Sequence, residues 1–507
     1  MEVEPAVRAQ DRPADGVSIA GQGSAGTTPS AGRQALQPLG TTVRRRSWRF
    51  LLLALAVAAA AAMRLRFAGV PLTADEAGYG VVAGRWADGA SLYGDAWVDR
   101  PQALVLLYRV AWESGPTGVR VLALVATAVT ALGVAWAART LAGRNAALAA
   151  AGLYLLVSPA PRLEGWAANG ELLAGAFTTL GIAGLLAWRK AGRTSGGLLA
   201  AGMLLVSTAP LVKQSAVEGL LVAVVLVAPH ARSRLPALGW AVLPWVVAVV
   251  HGGSVGFDRW WFAVVGYRFH GDPAAEGVLG RLELFWQAVP PLVLDAAPLL
   301  AVGLVCLSRL GRRHSVFAAW LAGGLVGVVG GGLFHTHYWL QLLPLGAVAA
   351  GVAWARMPRR VVPAVVAGIV VLAVGWAPFL ATDSPAELVT DATGDLRLAS
   401  AERVGHELAE LSDPDERVLV VWAAASVYAY ADREPATPFL WFRPVRYIDG
   451  ASEAIIDQVA GDDPPAAIAV AQPPELLDPD GGLSRLLEQR YQRVATVDGI
   501  PVYALRE

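Results

Sequence analysis

Two carboxylates stand side by side in Pro71-Leu72-Thr73-Ala74-Asp75-Glu76-Ala77-Gly78-Tyr79, just after the first long apolar run of the chain. A second charged site follows in the next stretch, Trp97-Val98-Asp99-Arg100-Pro101. Carboxylates suit proton transfer, and an arginine fork suits an anionic group. Desolvating a charge near hydrocarbon costs several kcal/mol. Acids followed by an arginine at a membrane surface therefore point to chemistry rather than packing.

That argument needs a membrane, and the composition supplies one. The 507 residues are 55% hydrophobic and 16% charged, whereas a soluble chain carries about 25% charged residues. The formal net charge is zero, without the basic surplus that a nucleic-acid partner would call for. Cys306 is the single cysteine, which rules out an intrachain disulfide and a cysteine-based metal site.

The elements that must position the charged residues follow from patterning. Residues 1–43, rich in Gly, Ala, Ser, Pro and Gln, read as a disordered cytoplasmic tail. Apolar segments near 48–64, 118–138, 145–160, 168–188, 196–211, 214–229, 236–252, 289–308, 315–334, 338–355 and 361–380 predict about eleven transmembrane helices. With the amino terminus in the cytoplasm, every inner loop is basic. These loops carry Arg139 and Arg144; Arg189, Lys190 and Arg193; Arg232 and Arg234; Arg309, Arg312 and Arg313; and Arg356, Arg359 and Arg360. The reading is thus a polytopic α-helical protein of the plasma membrane.

Its transmembrane catalytic domain spans 44–380, with long outer connections at 65–117 and 253–288. The second connection carries Phe257-Asp258-Arg259-Trp260-Trp261 and Tyr267-Arg268-Phe269-His270, an aromatic-rich set that suits membrane-surface anchoring. From 381 to 507, strand-like runs at Val418–Trp422, Ala467–Ala471, Val494–Val497 and Val502–Leu505 alternate with helical patterns near 396–411 and 482–490. They predict a small extracytoplasmic α/β domain.

This topology gathers Asp75, Glu76, Asp99, Arg100, Arg162, Glu164, Glu171, Lys213, His335 and His337 on the outer face. Asp295 and Glu218, the main ionisable residues inside the expected hydrocarbon core, also lie near outer helix ends. With its order of motifs, the chain resembles the GT-C glycosyltransferases, nearest the protein O-mannosyltransferase and aminoarabinose-transferase type. The Asp75-Glu76 pair and Asp99-Arg100-Pro101 match the family's first two motifs. Phe334-His335-Thr336-His337-Tyr338-Trp339-Leu340-Gln341-Leu342-Leu343-Pro344 is similar to its late helix start, and Val418–Arg443 resembles the outer domain of actinobacterial members. Two departures stand out. Arg100-Pro101-Gln102 replaces a basic-Pro-Pro form with lysine, and the motif after the third helix survives only loosely as Arg162-Leu163-Glu164 and Asn169-Gly170-Glu171.

The resemblance implies a GT-C fold and transfer of a sugar, mannose by analogy, from a polyprenyl-phosphate donor. The acceptor hydroxyl would belong to a protein, glycan or glycolipid outside the membrane. It implies Asp75 as base, with Glu76 orienting the acceptor or tuning its neighbour. It places Arg100 on the donor phosphate, with Lys213, His337 and Gln341 as further phosphate contacts. His337 and Gln341, four residues apart, share one face if the segment is α-helical. Asp99, Tyr338, Arg162 and Glu164 are expected along the substrate cavity. No metal ligand set and no cofactor is assigned, and a divalent cation stays an open requirement.

Plainer readings stand beside these. The acidic pair can be an interfacial feature, Arg100 a snorkelling anchor, and Glu164 and Glu171 solvated loop residues. His335-Thr336-His337 has a spacing that can ligate a metal, with no cysteine or carboxylate cluster adjoining it. Arg268 and His270 lie in the long outer loop, which can cover the cavity, and belong to no motif. A lipid-linked sugar flippase, a non-catalytic scaffold and a ligase of whole oligosaccharides are the rival functions. A flippase would show internal repeats and polar groups at mid-membrane.

Overall fold

The computed structural model describes residues 40–270, 277–306, 314–421 and 424–506. The expected tail over 1–43 falls almost wholly outside these residues, as do Arg309, Arg312, Arg313 and Trp422. Residues 40–47 begin the first helix, and the other described residues lie between 48 and 506.

The helices in chain order are α1 (Gly40–Arg66), α2 (Ala74–Ala87), α3 (Gln102–Trp112), α4 (Gly115–Ala142), α5 (Arg144–Val157), α6 (Gly170–Lys190) and α7 (Gly196–Val212). There follow α8 (Glu218–Val227), α9 (Ala231–Val255), α10 (Phe257–Val264), α11 (Gly277–Asp295), α12 (Ala297–Cys306), α13 (His314–Val329), α14 (Leu343–Arg356) and α15 (Pro358–Ala381). Gly115–Ala142, Gly170–Lys190, Ala231–Val255, Thr336–Arg356 and Arg359–Ala381 are the 5 described helices long and apolar enough to cross a membrane. A bent pair, α11 with α12, makes a sixth if counted as one span. Shorter apolar helices fill the bundle between them. Leu235, Leu238, Val247, Val250, Val366, Val370 and Val374 are exposed, as lipid-facing side chains of a membrane protein are. Small residues let the inner helices approach closely: a Cβ on Gly133 would meet the α6 backbone at 2.8 Å.

The structure departs from the sequence expectation at several points. The connection 65–117 contains α2 and α3, and 253–288 contains α10, a 3₁₀ turn at Gly266–Phe269 and the start of α11. The segment expected as one helix at 289–308 breaks after Asp295 with a 91° bend. Pro298 has no N–H to donate to the Leu294 carbonyl, and in a continuous helix its ring would clash with that carbonyl. Asp295 then ties the corner by accepting the Arg162 backbone N–H at 2.7 Å and its guanidinium at 3.1 Å.

Beyond α15 come α16 (Pro385–Thr393), α17 (Arg397–Glu410), β1 (Arg417–Val421), α18 (Ala425–Ala431), β2 (Glu434–Pro435), α19 (Phe442–Tyr447) and α20 (Ala451–Ala460). The chain ends with β3 (Ala467–Val470), α21 (Gly482–Arg490), β4 (Tyr491–Val497) and β5 (Ile500–Leu505). The sheet order is β2-β1-β3-β5-β4; the first three strands are parallel, and β5 runs antiparallel to both β3 and β4. Asp498-Gly499, both at positive φ, close the β4–β5 hairpin as its twist requires. Strand periodicity splits the hydrophobic run of β1 between two cores. Leu419 and Val421 pack with Ile455 and Leu487, while Val418 and Val420 join a core that reaches Leu72, Tyr79 and Trp97.

This sheet-bearing segment is therefore seated on α2. The Leu72 N–H donates to the Tyr430 hydroxyl at 2.8 Å, and Arg85 pairs with Glu434 at 2.9 Å. The Trp441 ring lies 5.6 Å from that of Tyr79. It covers Gly78 so closely that a Cβ there would lie 2.1 Å from the indole.

Candidate functional site

The site begins at the first turn of α2. Thr73 caps the helix, and Glu76 returns its carboxylate to the Thr73 N–H at 3.1 Å, a reciprocal capping box. This fixes Asp75 beside the helix N-terminus, where backbone dipoles favour negative charge. One turn on, the Tyr79 hydroxyl donates to Asp75 Oδ2 at 2.8 Å. Arg100 Nη2 stands 3.7 Å from the same oxygen, and its Nη1 donates to Asp99 Oδ1 at 2.6 Å. Arg268 Nη2 reaches Asp99 Oδ2 at 2.7 Å. The result is an alternating row of charges, Asp75, Arg100, Asp99 and Arg268, drawn from α2, the following loop and the turn after α10.

Burial pushes the Asp75 carboxyl toward the neutral acid. The charges of Arg100, His337 and Lys213 and the Tyr79 hydrogen bond outweigh it and hold the group below the usual carboxylate range. Asp99 is lowered too, burial being outweighed chiefly by Arg100 and Arg268. Both are carboxylates at neutral pH.

Asp75, Asp99, Arg100 and Arg268 line a cavity of about 310 Å³. Its far wall is the turn Thr336–Leu342 with the residues before it. There Glu164 Oε1 lies 3.3 Å from His337 Nδ1, and the rings of His335 and His337 stack 5.5 Å apart. Glu164 and Phe334 both hold positive φ, at 53° and 47°, so backbone strain is concentrated where this wall is shaped. Trp441, Arg443 and Pro444 close the cavity from α19 and the residue before it, and Thr393, Asp395 and Leu398 close it from the end of α16, the turn after it and the start of α17.

Of the residues singled out from sequence, Asp75, Asp99, Arg100, Glu164, His337 and Tyr338 meet at this cavity. Lys213 lines an adjoining chamber of about 480 Å³, with its Nζ 2.9 Å from Glu171 and 5.1 Å from the Tyr338 ring centre.

Three others stand elsewhere. Glu76 is fully buried and faces away from the cavity, accepting Arg120 Nη1 at 2.6 and 2.7 Å and the Ala168 N–H at 2.9 Å. Arg162 is held by Asp295 at the α11–α12 corner. Gln341 is buried, donating to Glu218 Oε2 at 2.5 Å and to the Ser215 carbonyl at 3.0 Å. The shared face expected for His337 and Gln341 presumed an α-helix. The segment is a 3₁₀ turn with about three residues per turn, which sends the two side chains to different partners. Glu171, read as a possible solvated loop acid, is instead buried against Lys213.

The sequence reading missed Trp97, Tyr267, Trp441 and Arg443, and gave Arg268 only a place in a loop over the cavity. The usable signal was the aromatic–arginine pairing in Tyr267-Arg268 and Trp441-Phe442-Arg443. Among the described residues no group of three or more His, Cys, Asp or Glu is placed to hold a metal ion.

No protein-family profile matches the chain, and no curated protein matches it. Solved structures do. ArnT from Cupriavidus metallidurans in the apo state aligns with a TM-score of 0.64 and 16% identity, over 91% of this chain and 98% of that one. The same protein bound to undecaprenyl phosphate aligns with a TM-score of 0.59 and 16% identity, over 90% and 98%. The chain has the fold of these structures.

Proposed function

We propose that the protein is an integral membrane glycosyltransferase. It moves a sugar, mannose by family analogy, from a polyprenyl-phosphate donor to a hydroxyl of a protein, glycan or glycolipid on the extracytoplasmic side. The observation that carries this reading is Asp75. It is an ionised carboxylate at a helix N-terminus, oriented by Tyr79 and flanked by Arg100, on the wall of a cavity at one end of an apolar bundle. The fold it shares with ArnT, one of whose structures holds undecaprenyl phosphate, supports the choice of donor.

In the proposed step the acceptor oxygen attacks the anomeric carbon as the bond from that carbon to the phosphate oxygen breaks. The electron pair leaves with the lipid phosphate, and the acceptor proton passes to Asp75. A single displacement inverts the anomeric centre. Arg100, and Lys213 in the next chamber, would stabilise charge developing on the leaving phosphate. Asp99 holds Arg100 in place, while Glu164, His337 and Tyr338 shape the sugar's side of the cavity. The full span count, the domain limits at 380/381 and the outward orientation of this face belong to the same proposal.

The test is transfer of labelled mannose from polyprenyl-phosphate mannose in membranes carrying the wild type or Asp75→Asn. Transfer by the wild type alone supports both enzyme and base. Equal transfer by both keeps the enzyme and removes Asp75 from the chemistry. No transfer from any polyprenyl-phosphate sugar overturns the reading in favour of a flippase or scaffold.

A further inference from the structure

The Asp75 cavity shares Tyr267, Arg268, Leu333, Tyr338 and Arg443 with the adjoining chamber. The two differ sharply in charge. The first carries the carboxylates Asp75, Asp99, Glu164 and Asp395. The second has Lys213, Arg268, Arg281 and Arg443 along its described lining, and no Asp or Glu. An all-cationic wall calls for an anion.

Within that wall the cations are not equivalent. Lys213 is matched by Glu171 and Arg268 by Asp99. Arg443 is exposed, its guanidinium 5.3 Å from the Tyr447 ring, and no described carboxylate pairs with it. It stands where the chambers meet, on the α19 segment whose neighbours Trp441 and Pro444 close the first cavity.

We infer that Arg443 seats the donor's phosphate at the junction of the two chambers, so that the sheet-bearing carboxy-terminal segment supplies part of the donor site. This rests on the donor proposed above. The second chamber also presents Val217, Phe269, Val326 and Val329, an apolar lining that suits the lipid end of a lipid phosphate rather than free phosphate. An arginine fork matches the phosphate oxygens, and the carboxylate-rich first chamber is left to the sugar and the acceptor hydroxyl.

The experiment measures binding of a polyprenyl monophosphate to the full-length protein in nanodiscs, with polyprenol and inorganic phosphate as comparison ligands. Arg443→Gln weakens polyprenyl phosphate binding about tenfold or more, the worth of a hydrogen bond to a charged group. It leaves the weaker polyprenol binding unchanged, which a general structural defect would not. Arg443→Lys falls between the two. Arg446→Gln, an exposed neighbour lining a separate cavity with Phe442 and Gln472, binds as wild type.

Wild-type binding that survives Arg443→Gln overturns the inference and spares the donor reading. Inorganic phosphate competing as well as the lipid overturns the lipid assignment. No binding of the lipid phosphate by the wild type overturns the inference together with the donor reading on which it rests.

Discussion

Asp75 and Glu76 are adjacent in sequence, yet the structure gives them opposite work, and Glu76→Gln separates them. Both Glu76 oxygens accept Arg120 Nη1; Oε1 also accepts the Ala168 N–H, and Oε2 the Thr73 N–H. Every polar neighbour at these distances is a donor. Whichever way the glutamine amide sits, its NH₂ faces the Arg120 guanidinium and one backbone N–H. Arg120, itself mostly buried, loses its counter-charge. Breaking a buried pair from one side costs about 3 to 5 kcal/mol. Much of the loss of the capping box, worth about 1 kcal/mol, falls within that figure. In a chain of this size the melting midpoint falls by roughly 5 °C. The assay pairs thermal melts of purified protein with transfer per folded molecule, for Glu76→Gln and Asp75→Asn side by side. Glu76→Gln is expected to melt early while retaining transfer in its folded fraction; Asp75→Asn melts less far below wild type and transfers nothing. A Glu76→Gln protein that melts like wild type and is inactive would refute this account and return Glu76 to the chemistry.

Lys213→Met leaves Glu171 buried without its cation and should destabilise by about 3 kcal/mol or more. The double variant Lys213→Met/Glu171→Gln recovers the melt but not transfer, read by melting and activity together. Gly78→Ala drives a Cβ into the Trp441 indole at 2.1 Å and should cost about 1 to 3 kcal/mol with several-fold lower transfer. Adding Trp441→Phe recovers part of both in a double-mutant cycle. For Asp75, the folded-state pKa lies below the unfolded one, so its stabilising contribution is complete above about pH 4 and fades as pH falls through the folded value. The stability difference between wild type and Asp75→Asn should thus hold level from pH 5 to 8 and shrink toward pH 3. Its transfer profile should show no acid limb from Asp75 between pH 5 and 8.

What could be read from the sequence was whatever local rules govern. Most apolar runs became helices close to their expected limits, and four of the strands lie where alternation and turn residues put them. Asp75, Asp99 and Arg100 meet at one cavity because they flank a short, locally determined turn and helix. Even Glu76 was decipherable: Thr73-Ala74-Asp75-Glu76 is a capping-box pattern, and reading it so would have assigned Glu76 to the helix end rather than the chemistry. The remainder depends on contacts distant in sequence. Arg443 reaches the site only because the sheet docks on α2, through a tryptophan that needs Gly78 beneath it. Gln341 leaves the site because a 3₁₀ turn replaced the expected helix, and hydropathy alone does not distinguish the two.

The row Asp75, Arg100, Asp99, Arg268 is electrically neutral, and that neutrality bears on the proposed step. Glu164 has His337 beside it and Asp395 is bound by Arg397, so the charge left over at the junction is Arg443. A sugar phosphodiester carries one negative charge, which Arg443 would offset. Breaking the sugar–phosphate bond adds negative charge to the leaving phosphate, while the transferred proton cancels the charge on Asp75. Arg100, 3.7 Å from that carboxylate, then faces one counter-charge where it faced two. Its attraction for the phosphate rises as the phosphate's own charge rises. The coupling needs no movement of Arg100, only the proton transfer itself, so it strengthens in the transition state and not before. On this account Arg100→Lys, which keeps the charge but loses the fork that spans Asp75 and Asp99, should lower kcat far more than it raises KM for the donor. Equal changes in both would mean that Arg100 holds the donor in the ground state alone.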